Sequence, residues 1–185
     1  MNNKFIIVII LGTHLFFGCK EDVLPKPKAM LRLEYPEAKF ARLETDHFEF
    51  QFNQMAKVKS KTSTSVELEY PTMHGSMFIN YKKVENNLEK LLSDAQKFSY
   101  EHVVKADGIE ADEFINSTDK VFGMIYEVTG DAASQAQFYV TDSTQHFVTG
   151  SLYFSVKPNY DSIYPAAQYL QNDIRRIMES LRWKQ

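Results

Sequence analysis

The first 22 residues constrain everything that follows them. Lys4 is a lone positive charge. Phe5-Ile6-Ile7-Val8-Ile9-Ile10-Leu11 and, after a short break, Leu15-Phe16-Phe17 form an apolar run. Gly18 and Cys19 close the run, and Lys20-Glu21-Asp22 restore charge at once. This order is that of a secretory signal, absent from the mature protein. The run is about 13 residues, whereas a helix that spans a bilayer needs roughly 20. A cysteine directly after a small residue makes it a lipoprotein signal. Cleavage before Cys19 frees a thiol and an amine to carry acyl chains such as palmitate. Two or three chains anchor stably, because each buried methylene contributes about 0.8 kcal/mol. Phe16 and Phe17 stand where a leucine and a small or β-branched residue are usual, so an uncleaved N-terminal anchor is the alternative.

Cys19 is the only cysteine. An exported domain here therefore folds without a disulfide, by packing alone. The supply is ample: 14 Phe and 10 Tyr, each able to bury a large apolar area. Residues 1–18 are the expected leader, 19–29 the lipidated Cys19 and a tether, and 30–185 one globular domain. Pro25 and Pro27, among charged residues, favour extended chain in the tether. Of 21 basic residues only Lys4 is in the leader, so 20 basic face 24 acidic side chains in the mature chain. That acidic balance argues against a nucleic-acid partner.

Hydrophobic periodicity gives the element order. Met30 to Tyr35 alternates weakly, which predicts a strand stopped by Pro36. His47 to Phe52 alternates cleanly, with Phe48, Phe50 and Phe52 on one face. Asn53 to Ser65 carries Lys57, Lys59 and Lys61 amid Ser and Thr and reads as a solvated loop. Val66–Tyr70 and the run Met77, Ile79, Tyr81 read as strands. Val84 to Lys105 switches to helical spacing, with Val84, Leu88, Leu91, Leu92, Ala95 and Phe98 on one face. Asp107-Gly108 should end that helix, with Gly108 as a left-handed cap. Ile109–Ile115, Val121–Val128, Gln135–Thr141 and Phe147–Val156 read as strands. Val121–Val128 is apolar on both faces, as in a strand covered on both sides. Pro165 suits the first turn of a helix, along which Leu170, Ile174, Ile177, Met178 and Leu181 form a stripe. The fold class is α+β: antiparallel strands covered by two main helices. This element order resembles the Mog1/PsbP-like sandwich.

Catalytic signatures are missing. His47, His74, His102 and His146 do not pair with each other or with Cys19 at metal-ligand spacing. No Gly-x-Ser-x-Gly elbow or phosphate-cradling glycine loop occurs. The chain therefore reads as a non-enzyme, with no catalytic residue, metal or cofactor. An enzymatic reading would require His47, His102 or His146 to meet carboxylates in a cleft. Asp142-Ser143-Thr144 and Asp161-Ser162-Ile163 resemble an Asp-Ser/Thr-apolar O-glycosylation signal, which makes Ser143 and Ser162 candidate sites. The alternative is that Asp-Ser marks turns and helix caps.

Ordered phrases run along the mature chain. They include Pro25-Lys26-Pro27-Lys28 before Leu31-Arg32-Leu33 and Tyr35-Pro36, then Ile79-Asn80-Tyr81-Lys82. Further on come Ala133-Ser134-Gln135-Ala136-Gln137-Phe138-Tyr139-Val140-Thr141, His146 to Phe154, Pro158 to Ile163, and Glu179-Ser180-Leu181-Arg182-Trp183. Together they resemble the gliding-motility lipoprotein GldD family of Bacteroidota. The resemblance implies an envelope lipoprotein needed for gliding, a machinery tied to type IX secretion. It implies as partners the membrane lipid, other gliding lipoproteins and the motor or secretion complex. It carries over no catalytic residue. A periplasm-facing domain is the expectation. Cys19-Lys20-Glu21-Asp22 also resembles a surface-export signal, which keeps the cell surface open. A small-ligand or glycan-binding lipoprotein is the alternative function, and it predicts a concave pocket lined by tyrosines.

Overall fold

The computed structural model describes residues 33–100, 105–156 and 159–184. The leader, Cys19, the tether and His102 lie outside them. The elements are β1 (Phe40–Glu44), β2 (Phe48–Asn53), β3 (Lys57–Lys61), β4 (Ser65–Tyr70), β5 (Gly75–Lys83) and α1 (Leu88–Tyr100). After these come β6 (Gly108–Asn116), β7 (Val121–Thr129), β8 (Ser134–Thr141), β9 (His146–Phe154), α2 (Tyr160–Ser180) and β10 (Arg182–Trp183).

Seven strands form an antiparallel sheet in the order β3-β4-β5-β9-β8-β7-β6, and β1-β2-β10 form a second antiparallel sheet. Strand alternation assigns each face of the large sheet to one helix. Phe138 and Val140 of β8 join Leu170, Ile174 and Ile177 of α2 in one core. Tyr139, one residue away, turns to the other face and packs with Tyr126, Phe147 and Leu91 of α1. The result is an α+β sandwich. The small sheet closes the α2 side, where Phe48 and Phe50 are 1% exposed and the β2 Gln51 N–H donates to Ser180 Oγ at 2.9 Å.

Several boundaries differ from the sequence reading, each for a local reason. Residues 33–35 of the expected first strand are irregular chain, with Tyr35 laid against Tyr169 at 5.1 Å between ring centroids. The first strand is instead β1. The Lys-rich loop contains β3, whose five residues are all exposed. Charge on an edge strand discourages further pairing. Helix α1 starts at Leu88 rather than Val84. Asn86 takes φ 56°, and the Glu85 N–H donates to Asn87 Oδ1 at 2.8 Å. Gly108 is no left-handed cap but the first residue of β6; among the described residues the glycine with positive φ is Gly130, at 94°. Pro165 is not in the first turn but sits as the sixth residue of α2. The helix begins at Tyr160, whose N–H donates to the Asp131 carboxylate at 2.8 Å. Val121–Val128 becomes β7, one strand from the sheet edge, and the strand buried along its whole length is β8.

Candidate functional site

The two serines singled out in the sequence lie on turns and are exposed. Ser143 takes φ 67° between β8 and β9. There Asp142 Oδ1 accepts the backbone N–H groups of Thr144, Gln145 and His146 at 3.0, 2.8 and 2.8 Å. Its Oδ2 accepts the Thr144 hydroxyl at 2.9 Å. Burial pushes the Asp142 carboxyl up, but these four hydrogen bonds outweigh it and hold it below the usual range. Ser162 sits on the first turn of α2. Both serines are exposed, and the turn chemistry accounts for Asp142.

Two of the histidines come together. His47 stacks on Tyr81 at 4.0 Å with rings 12° apart. The Tyr81 hydroxyl lies 3.0 Å from His146 Nδ1. His146 in turn stacks on Trp183 at 5.1 Å and 9°. Trp183 Nε1 donates to the Lys120 carbonyl at 2.9 Å. Burial holds the His146 imidazole below its ordinary range; nearby Asp142 opposes that shift and His47 adds to it. This ladder of rings stitches β2 and β10 to β5 and β9. The Asp142 carboxylate that acts on His146 is already engaged by the turn. His74 lies apart, exposed at the end of a short 3-10 turn with φ 53°. Among the described residues, no group of three His, Cys, Asp or Glu is arranged to hold a metal.

A cleft of about 470 Å³ opens between α1 and the β5–β9–β8 face. It exists because α1 has 13 residues and buries only Leu91 and Ser99, leaving the β5 and β9 side uncovered. Phe78 and Phe98 stand on opposite sides of it, 37% and 43% exposed. Phe78 meets Tyr153 edge-on at 5.9 Å. The Gln137 carboxamide is on the floor, in a residue only 3% exposed. Ser99 Oγ lies 3.0 Å from Gln137 Oε1 and 3.0 Å from the Ala95 carbonyl. Gln137 Nε2 has no partner.

A second buried polar group lies on the α2 side. Asp173 is 3% exposed and receives the Asn53 amide at 3.2 and 3.0 Å. Burial outweighs the help of Asn53 and Tyr70 and pushes its carboxyl up to about 6. The neighbouring Tyr70 hydroxyl is raised by burial first and by Asp173 second, and it has no well-formed hydrogen bond. Sequence reading missed both Gln137 and Asp173. The available signal was a polar residue out of pattern for Asp173, beside Ile174 on the helix stripe; Gln137 shares β8 with Ser134, Gln135 and Thr141 and left no such signal.

A sequence model described as "Gliding motility lipoprotein GldD" matches residues 20–183. The chain belongs to the GldD family of gliding motility lipoproteins. The match covers both sheets and both helices, so the ring ladder and the cleft lie within the matched residues. No curated relative matches the chain at a significant level. Among the described residues, no helix is long and apolar enough to cross a membrane; the family is one of lipoproteins.

Proposed function

We infer that this chain is a lipid-anchored accessory subunit of the gliding apparatus and its associated type IX secretion machinery. The observation that carries this reading is the family match, which starts at Lys20, the residue after Cys19. Residues 1–18 act as the leader, acylated Cys19 holds the membrane, residues 19–29 form the tether, and 30–185 form one domain facing the periplasm. Lys20-Glu21-Asp22 supports the cell surface as the alternative address. The domain contributes contacts rather than catalysis: His47 and His146 are tied into a structural ring ladder, and Asp142 is spent on a turn. Exposed Phe78 and Phe98 supply the apolar surface that contact sites use. Ser143 and Ser162 are its O-glycosylation sites.

The test is crosslinking and affinity purification from native membranes, comparing wild type with Cys19→Ala. Wild type should bring down gliding or secretion components, and the variant should lose them. Partners kept without the lipid would assign recruitment to the folded domain. Recovery of no gliding or secretion component by wild type would overturn the reading.

A further inference from the structure

We propose that the cleft between α1 and the β5–β9–β8 face binds a neutral saccharide. The proposal goes beyond the anchored-subunit reading and does not depend on it.

The first observation is the buried amide. Ser99 has one hydroxyl proton and two acceptors in reach, the Ala95 carbonyl and Gln137 Oε1. If the proton goes to Gln137, Nε2 is left without a partner. If it goes to Ala95, the amide must turn to donate to Ser99, and its oxygen is left instead. Either way one polar end of a residue only 3% exposed stays unpaired behind the cleft floor, at a cost to the fold. A ligand oxygen or hydroxyl that reaches it removes that cost.

The second observation is the grid around it. Strand pairing sets Asn80 beside Thr149 and Thr149 beside Tyr139, and sets Phe78 beside Ser151 and Ser151 beside Gln137. With strands about 4.8 Å apart, the two rows present amides, hydroxyls and rings over roughly 10 Å. Among the described residues, Asn80 and Thr149 have no side-chain hydrogen-bond partner. A sugar ring has the matching form: hydroxyls around its rim and a face of C–H bonds that lies flat on an aromatic ring such as Phe78.

Charge and topology exclude the competitors. Lys82 and Asp94 both line the cleft, so it carries no net charge for a phosphate or a carboxylate-rich ligand. The floor of amides and hydroxyls is a poor match for an acyl chain, whose burial would strand them. An added peptide strand needs a free sheet edge, and β5, β9 and β8 are each paired on both sides.

The experiment uses the full-length protein in a zwitterionic, sugar-free detergent. Saturation-transfer NMR is recorded with N,N′-diacetylchitobiose and with maltotriose, the two arms separating an N-acetylated glycan strand from a hexose polymer. Transfer to one of them at millimolar concentration is expected. Asn80→Ala and Phe78→Ala, both at exposed positions, should each weaken it about ten-fold, the loss of one good contact. Trp183 fluorescence shows that each variant keeps its fold. No transfer to either sugar overturns the proposal, as does equal transfer to wild type and both variants. Failure here leaves the partner-capture result untouched, because neither lipid nor partner enters this measurement.

Discussion

Among the described residues, Asp173 is the charged side chain in the core, and its environment fixes a pH response. Its carboxyl titrates near 3.8 when solvated and is pushed up to about 6 in the fold, by burial above all. The native state therefore holds the proton more tightly than the unfolded chain. Below 3.8 the two states are equally protonated and no penalty exists. Between 3.8 and 6 the unfolded chain ionises first, and stability falls as pH rises. Above 6 the native state carries a buried carboxylate at a cost of up to roughly 3 kcal/mol. Asp173→Asn should thus be more stable than wild type at pH 7 and level with it near pH 4, as read by chemical denaturation across that range. A wild type that gains stability between pH 4 and 6 would contradict this sign. Gly150 makes a second prediction at this scale. A Cβ there would meet the Phe138 ring at 2.0 Å, because the ring lies across the glycine on the neighbouring strand. Gly150→Ala overpacks the α2-side core and should lower stability by about 1–3 kcal/mol. Val148 and Leu152, two residues to either side in the strand, are core residues and put Gly150 on the inward face. What fills the space above it was not legible, since it depends on which strand lies alongside.

Elements that bury a face were legible, and elements made only by pairing were not. β2, β5 and the α2 stripe announced themselves through Phe48 and Phe50, through Met77 and Ile79, and through Leu170 and Ile174, all nearly inaccessible. β3 has no buried residue, and β10 has two residues, so neither leaves a periodic trace. Their existence depends on partners: Lys57 opposite Glu69 in one case, Trp183 opposite Phe48 in the other. The cleft was illegible for the same reason. It arises from what α1 fails to cover, and no single segment encodes that. β10 nonetheless carries the only tryptophan of the chain, stacked on His146. Protonating that imidazole should quench the indole. Because burial holds His146 below its ordinary value of 6.5, the quench should have its midpoint below 6.5. The sign for stability follows: the neutral ring's contribution is fully present above 6.5 and is lost as pH falls through the folded value. His146→Gln should abolish the fluorescence step. A midpoint above 6.5 would mean that Asp142, not burial, governs the ring.

At the scale of the molecule, the seven-stranded sheet has two unequal sides. The α2 side joins three layers, with Phe48 and Phe50 of the small sheet, the α2 stripe and the inner face of the large sheet in one continuous core. Arg175 adds ion pairs from α2 to Asp112 at 2.9 Å and Glu127 at 2.7 Å. Among the described residues, the α1 side has four buried apolar members, Leu91, Tyr126, Tyr139 and Phe147, and Phe98 on the helix remains 43% exposed. At about 25 cal/mol per Å² of apolar area removed from water, α1 is held far less strongly than α2. Regions with few buried apolar contacts open below the global unfolding free energy. Hydrogen exchange should therefore show the α1 amides exchanging well before those of α2 and β8, at a rate insensitive to Gly150→Ala, which weakens the other side. Exchange of α1 and α2 together, both accelerated by that substitution, would mean that the two sides unfold as one unit. The separation has a functional consequence. A helix that opens alone exposes Gln137 and widens the cleft without disturbing the sheet, so a ligand bound there should slow exchange in α1 and leave α2 unchanged.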